Sequence, residues 1–288
     1  MILVTGATGR TSGEVVKALL AKGEQVRALV RDPQTAGAIQ GPGVDLVVGD
    51  LEKPETWDTA SQGVEKVFLL SPEGPQMAEL HGKFADAAKR AGVRHLVRMS
   101  MLVSNPESPL DIAKWNGEAD QSVANSGIPY TIIRPAPFMQ IILGSAPTIA
   151  SDDMFSGAQG DGKVGVIDTR DIGNVVATIL TSDGHEGKTY PLTGPEALSM
   201  GELAGKLSAV LGRDVRYVSV SQEKAKGDLM AMGMPDWMAD GWVAIAMMIS
   251  TGAANMVTPM MQEVTGKEPR SFDQFARDFA DAFRVGQR

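Results

Sequence analysis

Residues 1–13 read Met-Ile-Leu-Val-Thr-Gly-Ala-Thr-Gly-Arg-Thr-Ser-Gly, and the reading of the whole chain turns on how this stretch is punctuated. An apolar run, Ile2-Leu3-Val4, ends at Thr5, glycines follow at positions 6, 9 and 13, and then Val15, Val16, Leu19 and Leu20 recur on one helical face. Strand, glycine turn and helix in that order place backbone N–H groups and a helix N-terminus opposite a phosphate. Gly6 permits the tight turn, and Gly9 lets a pyrophosphate approach the main chain without meeting a side chain. The chain has 32 glycines, so the spacing alone is weak; the strand before it and the helix after it carry the reading. Gly6, Thr8, Gly9, Arg10 and Thr11 are therefore the first cofactor-binding candidates.

Working outward, the strand at Gln25–Val30 ends in Arg31-Asp32-Pro33. A dinucleotide site places its discriminating side chain at this strand end: an acid for the ribose 2′-hydroxyl, a cation for a 2′-phosphate. The first polar residue here is Arg31, which favours NADP(H) over NAD(H), although Asp32 beside it keeps NAD(H) open. Val44–Val48 reads as a continuous buried strand running into Gly49-Asp50-Leu51, and Lys66–Leu70 as the next strand, leaving through Ser71-Pro72-Glu73-Gly74-Pro75. Open parallel sheets bind ligands at the carboxyl ends of their strands, so Ser71 and Pro72 should border the nicotinamide ribose, with Ser100 delivered to the same edge by the strand His95–Met99. His81, in the helix Gln76–Ala91, reads as a solvated histidine rather than a catalytic one.

Composition bounds the alternatives. At 288 residues with 43% apolar content the chain suits one large α/β domain or a domain with a smaller lobe. A net charge of −8 with no basic cluster argues against a nucleic-acid partner. The absence of cysteine excludes disulfides, thiolate nucleophiles and cysteine-based metal sites, and no metal site is expected. No apolar run reaches the ~20 residues of a membrane span and a strand begins at residue 2, so a cytoplasmic protein without membrane association is expected.

The Gly-x-x-Gly spacing within Thr5-Gly6-Ala7-Thr8-Gly9 resembles the short-chain dehydrogenase/reductase superfamily. More narrowly it resembles the NmrA-like branch, which includes quinone oxidoreductases, triphenylmethane reductases and NmrA-type redox sensors. Tyr130-Thr-Ile-Ile-Arg-Pro-Ala-Pro-Phe-Met139 and Ile167-Asp-Thr-Arg-Asp-Ile-Gly173 are similar to two further motifs of that family, and the resemblance covers nearly the whole chain. Where the family usually has glycine this chain has Ser12, which implies a slightly altered turn. The resemblance implies that Asp50 and Leu51 flank the adenine and that Pro135, Ala136 and Phe138 lie over the nicotinamide. The superfamily's Tyr-x-x-x-Lys pattern puts its lysine at Lys114, which would orient the nicotinamide ribose, but the tyrosine position is Leu110. The catalytic acid is missing, and Tyr130, Tyr190 and Tyr217 lie in or beside expected strands instead.

The fold expected is a Rossmann-type doubly wound parallel α/β sheet with a smaller C-terminal α/β substrate lobe. Residues 1–150 form the first part, with 171–195 returning to it; residues 151–170 and 196–288 form the lobe. Within the lobe Ser199 and Glu202 have capping-box spacing, Val215–Val220 reads as a strand, and Phe272, Phe275, Phe279 and Phe283 recur at helical spacing behind Ser271 and Gln274. More than half of the 16 methionines fall between Met230 and Met261, with Trp237 and Trp242 among them. That composition suits the roof over a flat apolar substrate, and equally a lobe core or a dimer contact.

Two functional readings follow from the missing acid. An NADP(H)-dependent oxidoreductase can pass hydride to an electron-poor acceptor such as a quinone or dye, because the proton can come from solvent. A non-catalytic NmrA-type sensor would use the same fold to register cofactor state. A nucleotide-sugar epimerase is disfavoured, since it needs the absent tyrosine. The expected partner is a small apolar or aromatic substrate, bound by a monomer or homodimer.

Overall fold

In the computed structural model, which describes residues 1–284, the opening run becomes a strand buried on both faces: β1 (Ile2–Val4) exposes at most 4% of any residue. Apolar residues at consecutive positions suit a parallel strand covered by helices above and below. The chain continues through α1 (Arg10–Ala21), β2 (Val26–Val30), β3 (Val44–Val48), α2 (Trp57–Ser61), β4 (Lys66–Leu69), α3 (Met77–Arg90), β5 (His95–Met99), α4 (Asp111–Asn125) and β6 (Tyr130–Pro135). After α5 (Ala146–Asp152), β7 (Met154–Gly157) and β8 (Lys163–Val164) come α6 (Thr169–Thr181) and β9 (Lys188–Leu192). The remainder is β10 (Leu198–Ser199), α7 (Met200–Leu211), β11 (Arg216–Ser219), α8 (Gln222–Ala231), α9 (Asp236–Ser250), α10 (Met260–Thr265) and α11 (Phe272–Asp278). None of these helices is long and apolar enough to cross a membrane.

The residues pack as two units. The first comprises Met1–Pro135, Thr169–Leu192 and Met260–Lys267. Its seven strands form one parallel sheet in the order β3-β2-β1-β4-β5-β6-β9, with helices on both faces. On one face Leu3, Leu29, Val67, Leu69 and Leu96 meet Trp57, Phe84, Ala88 and Val123 from α2, α3 and α4. Trp57 and Phe84 pack edge to face, 5.4 Å between ring centroids. On the other face α1 and α6 lie so close that a Cβ on Gly173 would stand 2.7 Å from the Glu14 carbonyl oxygen.

β3 departs from the expectation of a buried strand. It is the sheet edge, paired only with β2, and Val48 is 60% exposed. A short, mostly apolar run such as Val44-Asp45-Leu46-Val47-Val48 looks alike at the centre and the edge of a sheet, and the strand order tells them apart. Asp45 faces solvent and pairs with Arg27 at 2.7 Å.

The second unit comprises Ala136–Asp168, Thr193–Pro259 and Glu268–Arg288, of which residues up to 284 are described. By packing, residues 136–150 therefore go with this unit and Met260–Lys267 with the first, the reverse of their expected assignment. Two small sheets, β7 with β11 in parallel and β8 with β10 antiparallel, frame it. Ser199 and Glu202 do form a capping box: Ser199 Oγ accepts from the Glu202 N–H at 3.2 Å and Glu202 Oε2 accepts from the Ser199 N–H at 2.7 Å. Phe272, Phe275 and Phe283 are fully buried, with the Phe272–Phe275 and Phe275–Phe279 rings 5.5 and 4.7 Å apart.

Candidate functional site

At the carboxyl edge of the first unit, β1 has β2 on one side and β4 on the other, so the strand order reverses beside it; this is where an open α/β sheet leaves a crevice. The Thr5 N–H donates to Phe68 O at 3.1 Å, extending the ladder by one residue. Gly6 then takes φ +59°, a conformation that a side chain resists, and the Gly9 N–H donates back to Gly6 O at 2.8 Å. A Cβ on Gly6 would sit 3.3 Å from Leu70 O, and one on Gly9 would sit 3.0 Å from Gly6 O. Gly9 is the N-cap of α1 and offers no capping side chain, so the first-turn N–H groups have no acceptor from helix or cap. Gly6, Thr8, Gly9 and Arg10 are exposed, and Thr11 and Ser12 are buried. Ser12 does not distort α1, and its buried Oγ has no hydrogen-bond partner.

At the end of β2, Arg31 is exposed. The neighbouring Asp32 caps the turn Pro33–Ala36, its Oδ1 accepting from the Gln34 N–H at 2.9 Å. At the end of β3, Asp50 Oδ1 accepts from the Glu52 N–H at 3.1 Å. Leu51 turns inward, 6% exposed within the core, while its carbonyl accepts from Trp57 Nε1 at 3.1 Å. A cavity of about 380 Å³ opens between the exits of β3 and β4, lined among others by Glu52, Trp57, Pro72, Glu73, Met77 and Leu80.

The exit of β4 leads into a buried polar network that the sequence reading did not find. Ser71 is 8% exposed and hydrogen-bonded to His81 Nε2 at 2.8 Å, while Pro72 is exposed. His81 is 1% exposed rather than solvated, which corrects the expectation for it. Its Nδ1 accepts from Arg98 Nε at 3.0 Å. Burial, and secondarily the adjacent Arg98 charge, hold its pKa well below the usual histidine range, so the ring is neutral. Arg98, on β5, is 0% exposed; it pairs with Asp120 of α4 and donates through Nη2 to Asn116 Oδ1 at 3.1 Å. Asp120 Oδ2 also accepts from Ser100 Oγ (3.0 Å), Ser104 Oγ (2.8 Å) and Arg134 Nη2 (2.7 Å). Ser100 thus reaches the sheet edge as expected, but its hydroxyl is engaged with Asp120. Asn116 Nδ2 donates to Glu73 Oε2 at 2.8 Å. Burial raises the Glu73 pKa, opposed by the Asn116 hydrogen bond and the Arg98 charge.

One signal pointed to this network: Arg98 interrupts the otherwise apolar stretch Leu96-Val97-Arg98-Met99. Asn116 and Asp120, four residues apart, share the buried face of α4 with Ile112. A single helix periodicity does not separate a buried polar pair from a solvated one.

Lys114 lies on the first turn of α4, exposed, with Glu118 at 3.9 Å. Leu110 is the N-cap of that helix and carries no proton to donate. Pro135 is buried at the end of β6. Phe138 belongs to the second unit, half-buried and bridged to Ile167. The methionine-rich segment, in the second unit as far as Pro259, exposes Met230 (43%), Met232 (65%) and Trp237 (41%), while Val243 and Ala246 of α9 pack inward with Met247.

Comparison with known proteins agrees with the resemblance read from residues 5–9, 130–139 and 167–173. The profile of the NmrA-like family matches residues 1–275. The chain is 40% identical over 283 residues to an NAD(P)H azoreductase of Xenophilus azovorans, covering 98% of this chain and 99% of that protein. The NADPH complex of an NADPH-dependent quinone oxidoreductase from Escherichia coli matches with a TM-score of 0.87 at 31% identity, covering 97% of this chain and 100% of that one. The NADP(H) complex of the triphenylmethane reductase from Citrobacter sp. matches at 0.85 and 29% identity, covering 96% and 99%. The likeness extends over nearly the full length of each protein, and the chain belongs to the NmrA-like family and is an oxidoreductase.

Proposed function

We propose that this oxidoreductase binds NADP(H) at the carboxyl edge of β1, β2 and β4 and passes hydride to an electron-poor small molecule such as a quinone, an azo compound or a cationic dye. The observation that carries the acceptor class is Leu110, an alkyl side chain where the wider superfamily has its acid. A simple ketone needs a proton donor as its alkoxide develops, whereas an electron-poor acceptor can take its proton from water.

The residues present fit the cofactor. The turn Gly6–Gly9 is a cradle that a Cβ would narrow, the uncapped N-terminus of α1 favours an anion, and Ser12 Oγ is buried there without a partner. The Thr11 main-chain N–H, with Thr8 and Arg10, would hold the pyrophosphate, which the bare Gly9 lets approach the main chain. Arg31 would bind the 2′-phosphate, while Asp32 beside it has one carboxylate oxygen engaged in capping the following turn. Asp50 and the Leu51 main chain, at the end of β3, would flank the adenine. Ser71, Pro72, Ser100 and Pro135 would line the nicotinamide end, with Lys114 donating to the ribose. When bound, the reduced nicotinamide supplies the hydride; the protein's contribution is orientation and exclusion of water.

NADPH oxidation is to be followed with a panel of quinones, azo compounds, triarylmethane dyes and simple aldehydes. Turnover of the first three with stereospecific deuterium transfer from C4-labelled NADPH is the expected result. Tight NADPH binding with no turnover across the panel would assign the chain to cofactor sensing instead.

A further inference from the structure

The loop Ser71–Pro75, at the exit of β4, is held from behind by a single buried guanidinium. Arg98 has only donors, so every hydrogen bond leading from it has a fixed direction. Its Nε donates to His81 Nδ1 at 3.0 Å, so that nitrogen carries no proton and the ring hydrogen sits on Nε2. Nε2–H therefore donates to Ser71 Oγ at 2.8 Å, and the Ser71 hydroxyl is left to donate to Pro72 O at 3.0 Å. A second arm starts at Nη2, which donates to Asn116 Oδ1 at 3.1 Å; Asn116 Nδ2 then donates to Glu73 Oε2 at 2.8 Å. The two arms end on consecutive residues, Pro72 and Glu73. Stability alone does not call for this arrangement, since apolar packing of equal volume is commonly as stable as a buried ion pair.

We propose that Arg98 is a positioning residue for hydride transfer: acting through His81 and Ser71 on one arm and Asn116 on the other, it sets the conformation of Pro72 and Glu73 beside the nicotinamide ribose. The proposal rests on the cofactor placement given above. Arg98 touches neither cofactor nor acceptor in this scheme. It determines where the loop carbonyl and carboxyl stand, and thereby the angle at which the nicotinamide meets the acceptor.

The test uses His81→Asn and Ser71→Ala, singly and together, in the full-length protein. In His81→Asn the amide oxygen replaces Nδ1 as an acceptor for Arg98, so the buried charge stays satisfied, but the shorter side chain cannot reach Ser71. Single-turnover hydride transfer from NADPH to menadione should slow by about tenfold in each variant, the loss of one hydrogen bond, with the melting temperature and the KM for menadione close to wild type. The double variant should be no slower than either single one, because both cut the same arm. Amide exchange at Glu73, Gly74 and Gln76 should quicken in His81→Asn. Unchanged transfer in folded variants, or losses that add in the double variant, would overturn the proposal. If the wild type binds NADPH but reduces no acceptor, the functional reading fails, and the exchange rates alone decide: unchanged exchange at Gly74 then rejects the positioning role. If His81→Asn does not fold, Ser71→Ala supplies the same two readouts.

Discussion

Thr5 and Leu70, 65 residues apart, share one hydroxyl: Thr5 Oγ1 donates to the Leu70 carbonyl at 2.8 Å and accepts from the Leu70 N–H at 2.8 Å. The side chain is fully buried and does the work of a ladder rung just past the ends of β1 and β4, where the strands separate. Both main-chain groups are satisfied there, so the floor of the crevice is rigid. Thr5→Val, nearly equal in volume, would leave the Leu70 N–H and carbonyl unpaired. Unfolding by urea should show a loss of about 1–3 kcal/mol, and Thr5→Ser should recover most of it. Equal stability of Thr5→Val and wild type would show that the hydroxyl is not structural.

Arg31 tests the cofactor preference. It is exposed at the end of β2, and one carboxylate oxygen of the adjacent Asp32 accepts from the Gln34 N–H. Arg31→Ala should weaken NADPH binding by about 1.5–3 kcal/mol, roughly 10- to 150-fold, and leave NADH nearly unchanged. Titration calorimetry with both cofactors reads this directly, and an unaltered NADPH-to-NADH ratio would remove Arg31 from the site.

Lys114 has only a distant partner in Glu118, at 3.9 Å, and is half-exposed, so its ammonium is available to a ribose hydroxyl at little cost. Lys114→Met should weaken NADPH by about 1–3 kcal/mol without changing the melting temperature. Wild-type affinity and turnover in the folded variant would show that the lysine serves only the helix surface.

Asp120 is the anion that two guanidiniums share, Arg98 and Arg134. Asp120→Ala leaves the Arg98 charge buried without its counter-ion, and a loss of about 3–5 kcal/mol in chemical denaturation is expected. Glu73, whose pKa burial has raised, is then the nearest carboxyl that can compensate. Loss of the Asp120 charge should lower the Glu73 pKa from its raised position, and an NMR titration of the Glu73 carboxyl with a midpoint unchanged from wild type would count against the coupling.

His95 sets a slope of stability against pH. It is buried, donates to Thr131 Oγ1 at 2.8 Å, and leaves Nδ1 without a partner. Its pKa is lowered from 6.5 to about 4; burial lowers it most, Glu186 opposes, and Lys66 and His185 add to the fall. Between these pH values the unfolded chain binds a proton that the folded one does not. The stability is therefore fully present above about pH 6.5 and is lost as the pH falls towards 4, a span worth about 3 kcal/mol. His95→Gln, which keeps the donor to Thr131, should flatten the dependence of unfolding free energy on pH in that window.

How far these features were legible differs from element to element. Ile2-Leu3-Val4 followed by Gly6 and Gly9 was enough to place β1, the turn and α1, because burial on both faces and a turn with positive φ each restrict which residues can occupy a position. The capping box at Ser199 and Glu202 was legible for the same reason: its hydrogen bonds join residues three apart, and local spacing describes them completely. Leu51 shows where local reading stops, since the motif placed it at the right strand end but could not say that its side chain turns into the core against Trp57.

The parallel Rossmann-type sheet, the glycine turn at its switch point, the alkyl side chain at Leu110 and the family are all properties of contiguous stretches and could be read from them. The edge position of β3 and the burial of His81 came instead from strand order and packing. Tertiary folding also brought Arg98, Asn116, Asp120 and Glu73 from β5, α4 and the exit of β4 into one network. The reason is physical: a polar side chain is tolerated in the interior only when its partners are present, and those partners stand up to 43 residues away, on elements whose juxtaposition is set by strand order rather than by any local pattern.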